Sequence, residues 1–141
     1  MIILDTNVLS ALMRPLPEPI VAAWLDRQPR SSVWVNSITV LEVQHGIQLL
    51  PAGKRCTGLF EMFDRLVLGG LDRRIAGFDS AAAHEAANLM TARRKTGRDY
   101  ELKDAMIAGI VIARHATLAT RNTRHFDDLP GKVVNPWLDL R

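Results

Sequence analysis

The sequence predicts an α/β fold, in which a short, mostly parallel sheet of four to five strands lies between layers of helices. Three observations predict it. Brief hydrocarbon runs, such as Ile2-Ile3-Leu4 and the Val33-Trp34-Val35 part of residues 32–35, read as fully buried strands. Between such runs, apolar residues recur at helical spacing. The two kinds of segment alternate, and strands joined through helices pair in parallel with helices on both faces.

The first strand, residues 2–4, stops at Asp5-Thr6-Asn7, and a short helix over 7–13 is ended by Pro15 and Pro17. Ile20, Val21, Trp24 and Leu25 give the next helix an apolar face, up to Gln28. Asn36 closes the second strand, and Ser37 is the expected N-cap of a helix reaching Leu50. Pro51-Ala52-Gly53 breaks the chain before a helix that buries Leu59, Phe60, Phe63, Leu66 and Val67 and ends at Gly69-Gly70. A third strand is expected over 75–78. Asp79 or Ser80 caps the helix that follows, whose apolar face is Ala82, Ala83, Ala86, Leu89 and Met90. Arg93-Arg94-Lys95 suit its C-terminal end before Gly97. Asp104 opens a helix that is apolar almost all round to Arg114, and therefore central. Residues 117–120 make a fourth strand and 132–134 a short fifth.

A length of 141 residues with 48% hydrophobic content is expected to form one domain, spanning 1–141, with a proper core. The net charge of +3 and pI near 9.5 lean toward a polyanionic partner. The longest apolar run, residues 105–113, falls short of the roughly 20 residues of a membrane span. No charged segment precedes an apolar stretch at the N-terminus, so no signal peptide is expected. Cys56 is the only cysteine, which excludes internal disulfides and thiolate zinc sites and makes the cytoplasm the expected compartment.

The carboxylates carry the chemistry. Asp5 stands at the C-terminal end of the first strand, where ligands of open α/β sheets collect. With no Lys or Arg near it in sequence it suits a cation, and it equally suits a helix N-cap. Glu42 lies among Ile38, Thr39, Val40, Leu41 and Val43. A lone buried carboxylate is costly, so Glu42 either faces solvent or meets a compensating cation. Asp104 suits a cap worth about 1 kcal/mol, and one carboxylate can cap and ligate together. Thr120-Arg121-Asn122 follows the fourth strand as Asp5 follows the first, so both emerge at one sheet edge; Asn122 also suits a turn. Three acids at one edge repel unless a cation intervenes, and oxygen-only ligation suits Mg²⁺ or Mn²⁺. Such an ion lowers the pKa of bound water and neutralises charge building on a phosphoryl oxygen.

In this order and at this length, five segments resemble the PIN-domain ribonucleases, specifically the VapC toxins of bacterial type II toxin–antitoxin pairs, including the FitB-like branch. The segments are Ile3-Leu4-Asp5-Thr6-Asn7, Ser37-Ile38-Thr39-Val40-Leu41-Glu42 with Gly46, Asp104-Ala105-Met106-Ile107-Ala108, Ala119-Thr120-Arg121-Asn122 and Asn135-Pro136-Trp137. The resemblance spans essentially the whole chain. It implies a PIN-like three-layer fold, a homodimer, and an Mg²⁺- or Mn²⁺-dependent endoribonuclease that hydrolyses RNA phosphodiesters with metal-activated water. It also implies a cognate VapB-like antitoxin whose tail blocks the site, operator DNA being reached only through that antitoxin. Asp5, Glu42 and Asp104 match the acidic triad that holds the metal, Asp5 and Asp104 most directly. Asn122 stands where many relatives carry an acid, and joins the catalytic set as a second-tier ligand. Thr6 and Thr120 match small polar residues that orient the site, with Asn7 beside them.

For RNA binding, Arg14 and Arg121 lie close in sequence to site residues. Arg93, Arg94, Lys95 and Arg98 are either a solvated helix end or a phosphate track, with Arg94 and Lys95 the expected contacts. His45, His84, His115 and His125 lack metal-pair spacing, so surface or packing roles are expected. Trp24, Trp34 and Trp137 read as core or interface residues, Asp127 and Asp128 as loop acids, and Glu101 as an acid near the metal. Amphipathic helices over 20–25 and 59–67 are expected to offer an apolar stripe to a second copy. Two other classes compete. One is a receiver-like phosphoryl-transfer domain using Asp5 as nucleophile, although position 7 is Asn and the Asp-x-Asp spacing is absent. The other is a catalytically weak PIN domain that binds nucleic acid or an antitoxin. Divalent-dependent RNA cleavage separates this binding domain from the ribonuclease, and a covalent aspartyl phosphate would mark the receiver-like class.

Overall fold

In the computed structural model, which describes residues 1–130 and 132–139, β1 (Ile2–Leu4) is the middle of five parallel strands. β2 (Val33–Asn36) and β3 (Ile75–Ala76) lie on one side of it, β4 (Thr117–Ala119) and β5 (Val133–Val134) on the other, in the order β3-β2-β1-β4-β5. Ile2 stands opposite both Val33 and Thr117, and Leu4 opposite Ala119. The period of two splits the side chains between two cores. Leu4, Val33, Val35 and Ala119 pack into one, against α1 (Thr6–Leu12), α2 (Pro19–Asp26), α3 (Ser37–Gln48) and α4 (Lys54–Phe63). Ile3, Ala76 and Leu118 pack into the other, against α5 (Ser80–Lys95) and α6 (Leu102–Ala113). The expected three-layer α/β architecture is therefore present.

Several local expectations are corrected. Asn36, not Ser37, caps α3: its Oδ1 accepts from the Thr39 N–H at 2.8 Å while its amide donates to the Leu4 carbonyl at 3.0 Å. Ser37 instead takes the backbone N–H of Phe78 on its hydroxyl, so β3 stops at Ala76 rather than Phe78. The helix placed over 59–67 begins earlier, at Lys54, and continues from Phe63 as a π-helical segment, Asp64–Gly70. Asp104 does not open α6; it sits in the first turn, and Glu101 occupies the cap without a side-chain cap bond. Ala83 is exposed, whereas Ala82 and Ala86 of α5 are buried against α6. There Gly109 is required: a Cβ on it would stand 2.8 Å from Ala86 Cβ and press on the Ala82 carbonyl oxygen. On α2, Val21, Trp24 and Leu25 are consumed by the chain's own core. On α4 only Phe63 is buried, with Leu59, Phe60 and Met62 half-covered.

Candidate active site

Strand order reverses between β1 and β4, since β2 and β3 continue to one side and β4 and β5 to the other. The crevice at the carboxyl ends of such a pair is where ligands of open α/β sheets bind. Asp5 (4% exposed) and Thr120 (fully buried) stand there. Thr120 Oγ1 donates to Asp5 Oδ2 at 2.7 Å, and the Thr6 backbone N–H donates to Oδ1 at 2.8 Å. The second bond makes Asp5 the N-cap of α1, so capping and a place in the site coexist. The Asn7 amide donates to Asp5 Oδ2 and Thr120 Oγ1, at 3.2 and 3.3 Å, and its oxygen accepts from the Arg121 backbone N–H.

Glu42 reaches the same place from α3. Thr6 Oγ1 donates to Glu42 Oε1 at 2.8 Å. Because that hydroxyl has one proton, Thr39 Oγ1, at 3.0 Å, must donate to Thr6, and Thr39 in turn accepts from the Asn36 amide at 3.0 Å. A directed chain thus runs from Asn36 through Thr39 and Thr6 to the carboxylate. Asp104 enters from α6, its Oδ2 lying 2.9 Å from His125 Nδ1.

Burial pushes the Asp5 carboxyl above the ordinary range. The bonds from Thr120 and Thr6 oppose that shift, while the charges of Asp104 and Glu42 add to it. Asp5 therefore feels both Asp104 and Glu42. Among the described residues no three acid, His or Cys side chains are already drawn together as a metal-holding group; each of these carboxylates is turned to a protein donor instead. The donor set nevertheless fits a hard cation, because all three donors are carboxylate oxygens and the residual strain on Asp5 is electrostatic.

The remaining candidates divide. Asn122 is exposed, and its backbone N–H, not its amide, contacts the site, donating to Thr120 Oγ1 at 3.0 Å. Arg121 is exposed with its guanidinium 4.8 Å from the Trp137 ring centroid. Arg14 pairs with Glu18 at 3.3 Å on the surface. Arg94 and Lys95 are exposed at the end of α5. Arg93 is neither a solvated end nor a phosphate track: it is 2% exposed and grips Asp128 with two bonds of 2.9 and 2.8 Å, plus the His125 carbonyl. Arg98 is likewise committed to Asp127, so those two loop acids are ion-pair partners. Sequence reading misses Asn36, Thr39 and His125. The only signal for the first two is their place, at and just after the end of β2; for His125 it is proximity in chain to Asn122.

The chain matches the PIN domain family over residues 2–132. It belongs to that family. The plasmid stability protein StbB of Pseudomonas syringae pv. tomato is 38% identical over 97% of this chain and 99% of its own length. The VapC ribonuclease Y4jK of Sinorhizobium fredii is 36% identical over 97% and 98%, and toxin FitB of Neisseria gonorrhoeae 36% over 99% and 100%. Among solved structures, FitAB bound to an IR36 DNA fragment superposes with a TM-score of 0.89 at 35% identity, covering 100% of this chain and 99% of that one. This PIN-domain chain has, among its described residues, no helix long and apolar enough to cross a membrane.

Proposed function

We propose that this PIN-domain chain is the toxic component of a type II toxin–antitoxin pair, an endoribonuclease that hydrolyses RNA phosphodiesters with Mg²⁺ or Mn²⁺. The observation that carries it is Asp5, buried at the sheet's switch point with its pKa raised by burial and, further, by Asp104 and Glu42. Relatives named ribonuclease and toxin at 36% identity over nearly full length support it.

Asp5, Glu42 and Asp104 would hold the cation, with Asn122 at its outer edge. When bound, the cation supplies positive charge against a phosphoryl oxygen and lowers the pKa of water. Thr120, Thr6 and Asn7 fix the rotation of the Asp5 carboxylate. Thr6 occupies Glu42 Oε1, which leaves Oε2 as the oxygen that would face the cation. Arg121, steadied on Trp137, and Arg94 and Lys95 supply the field that draws in the RNA backbone. Arg14 joins them only by leaving Glu18, a small cost for an exposed pair. The partners in this proposal are RNA, a second copy of the chain and a VapB-like antitoxin through which operator DNA is reached; the DNA-bound FitAB structure supports that assembly. The half-covered face of α4 is the surface left for it.

A second function, a catalytically weak PIN domain that binds nucleic acid or an antitoxin, is favoured by one observation: the neutral, exposed Asn122. Incubation of single-stranded RNA with the protein, with Mg²⁺ or Mn²⁺ and with chelator, decides between them. Divalent-dependent cleavage that Asp5→Asn abolishes is expected. Cleavage indifferent to chelator or to Asp5→Asn rejects the proposed site.

A further inference from the structure

Beside Asp104 a cavity of about 430 Å³ opens between the start of α6 and the turn that carries His125. That volume is within the range of small-ligand clefts, roughly 300–1,000 Å³. Asp104, His125, Glu101, Tyr100 and Arg124 are among its walls. An adjoining hollow shares Arg98, Asp99 and Tyr100 with it and reaches Arg94 and Gly97. The two form one trough, which starts at a carboxylate of the proposed site and ends at the C-terminus of α5.

The chemistry along the trough is sorted. Gly97, at φ +71°, reverses the chain after α5, with the Gly97 N–H on the Arg94 carbonyl and the Arg98 N–H on that of Arg93. The turn commits Arg98 to Asp127, and Arg93 is committed to Asp128. Arg94 and Arg124 have no carboxylate partner among the described residues, and are the cations available to a ligand. Tyr100 is the only tyrosine of the chain. It is half-buried, its hydroxyl makes no hydrogen bond to the described residues, and its ring pairs with no other. A ring so placed, with a free cation to either side, is the arrangement on which single-stranded nucleic acid is held: bases stack on the ring and phosphates meet the cations. Asp99 and Glu101 would repel phosphate, which keeps the backbone toward Arg94 and Arg124 and turns the base inward to Tyr100.

We infer that this trough is a nucleotide subsite for single-stranded RNA, in which Tyr100 stacks one base next to Asp104 while Arg94 and Arg124 hold flanking phosphates. The substrate class rests on the ribonuclease function proposed above; the subsite itself is tested without cleavage. The full chain, carrying Asp5→Asn and biosynthetic 3-fluorotyrosine, gives a single ¹⁹F resonance. On titration with a single-stranded RNA decamer that resonance is expected to move, and an abasic decamer of the same length is expected to leave it in place. Tyr100→Leu is expected to weaken binding of the base-bearing decamer about tenfold and leave the abasic one unchanged, whereas Tyr100→Phe retains parent affinity. The subsite is overturned if the decamer does not bind, if it binds by anisotropy with the resonance unmoved, or if the abasic decamer moves it equally. Cleavage by the parent chain is scored separately, so its failure rejects the ribonuclease function and leaves the ¹⁹F result to judge the trough.

Discussion

Thr120 Oγ1 donates to Asp5 Oδ2 at 2.7 Å, tying together the residues that follow two neighbouring strands. This bond is the largest influence opposing the upward push of burial on the Asp5 carboxyl. Thr120→Val keeps the shape and removes the donor. The Asp5 pKa then rises further, so ionised Asp5 is reached only at higher pH, and the acid limb of the cleavage pH profile moves upward. A kcat/KM profile whose acid limb stays in place on Thr120→Val removes Asp5 ionisation from the rate.

Thr39→Val tests the chain of hydroxyls behind Glu42. The Asn36 amide keeps the Leu4 carbonyl but loses its second acceptor while fully buried. An unsatisfied buried donor costs about 1–3 kcal/mol, and a loss of about 2 kcal/mol is expected in urea unfolding, restored by Thr39→Ser. Equal stability of Thr39→Val and parent shows that the hydroxyls carry no load.

Asp128→Asn leaves the buried Arg93 guanidinium without its counter-charge. Removing one partner of a buried pair costs about 3–5 kcal/mol, and about 3 is expected because Asp128 keeps 29% side-chain exposure. The hydrogen bond from Arg93 holds the Asp128 carboxyl below its ordinary 3.8. A depressed folded-state pKa gives stability that is present above 3.8 and lost as pH falls through the lower folded value. The gap in Tm between parent and variant is therefore wide at pH near 7 and narrows in strong acid. A gap that is constant with pH, or widens in acid, rejects the assignment.

Gly109→Ala gains about 1 kcal/mol of helix propensity and loses more by overpacking, typically about 1–3 kcal/mol. The new methyl meets Ala86 and the Ala82 carbonyl, both backed by α5. Lower Tm is expected. A Tm above that of the parent shows that the two helices separate without cost.

The sheet and the acids were legible because both follow local patterns. Hydrocarbon runs mark β1 and β2, and Asp5 and Asp104 stand at a strand end and in the first turn of a helix. What stayed hidden depends on partners distant in sequence. Arg93 reads as one more cation in a basic helix end; its burial is set by Asp128, in a loop after β4. His125 lacks ligand spacing because it touches a carboxylate rather than a second imidazole. Asn36 and Ser37 are equally good caps in isolation, and only the Leu4 carbonyl next door selects the amide. The winding of residues 64–70 into a π-helical segment leaves no mark in the apolar spacing, since Leu66 and Val67 serve either winding.

Asp5 is spoken for by a hydroxyl 115 positions later, and Glu42 by one 36 positions earlier. No contiguous fragment shorter than Asp5 through Thr120 contains the assembled crevice. During synthesis, β1 through α6 can emerge and collapse while Asp5 still lacks its Thr120 partner. On the function proposed above, catalytic competence would be deferred to almost the last strand pairing, and the interval before it would be a window in which the chain exists but is not yet armed.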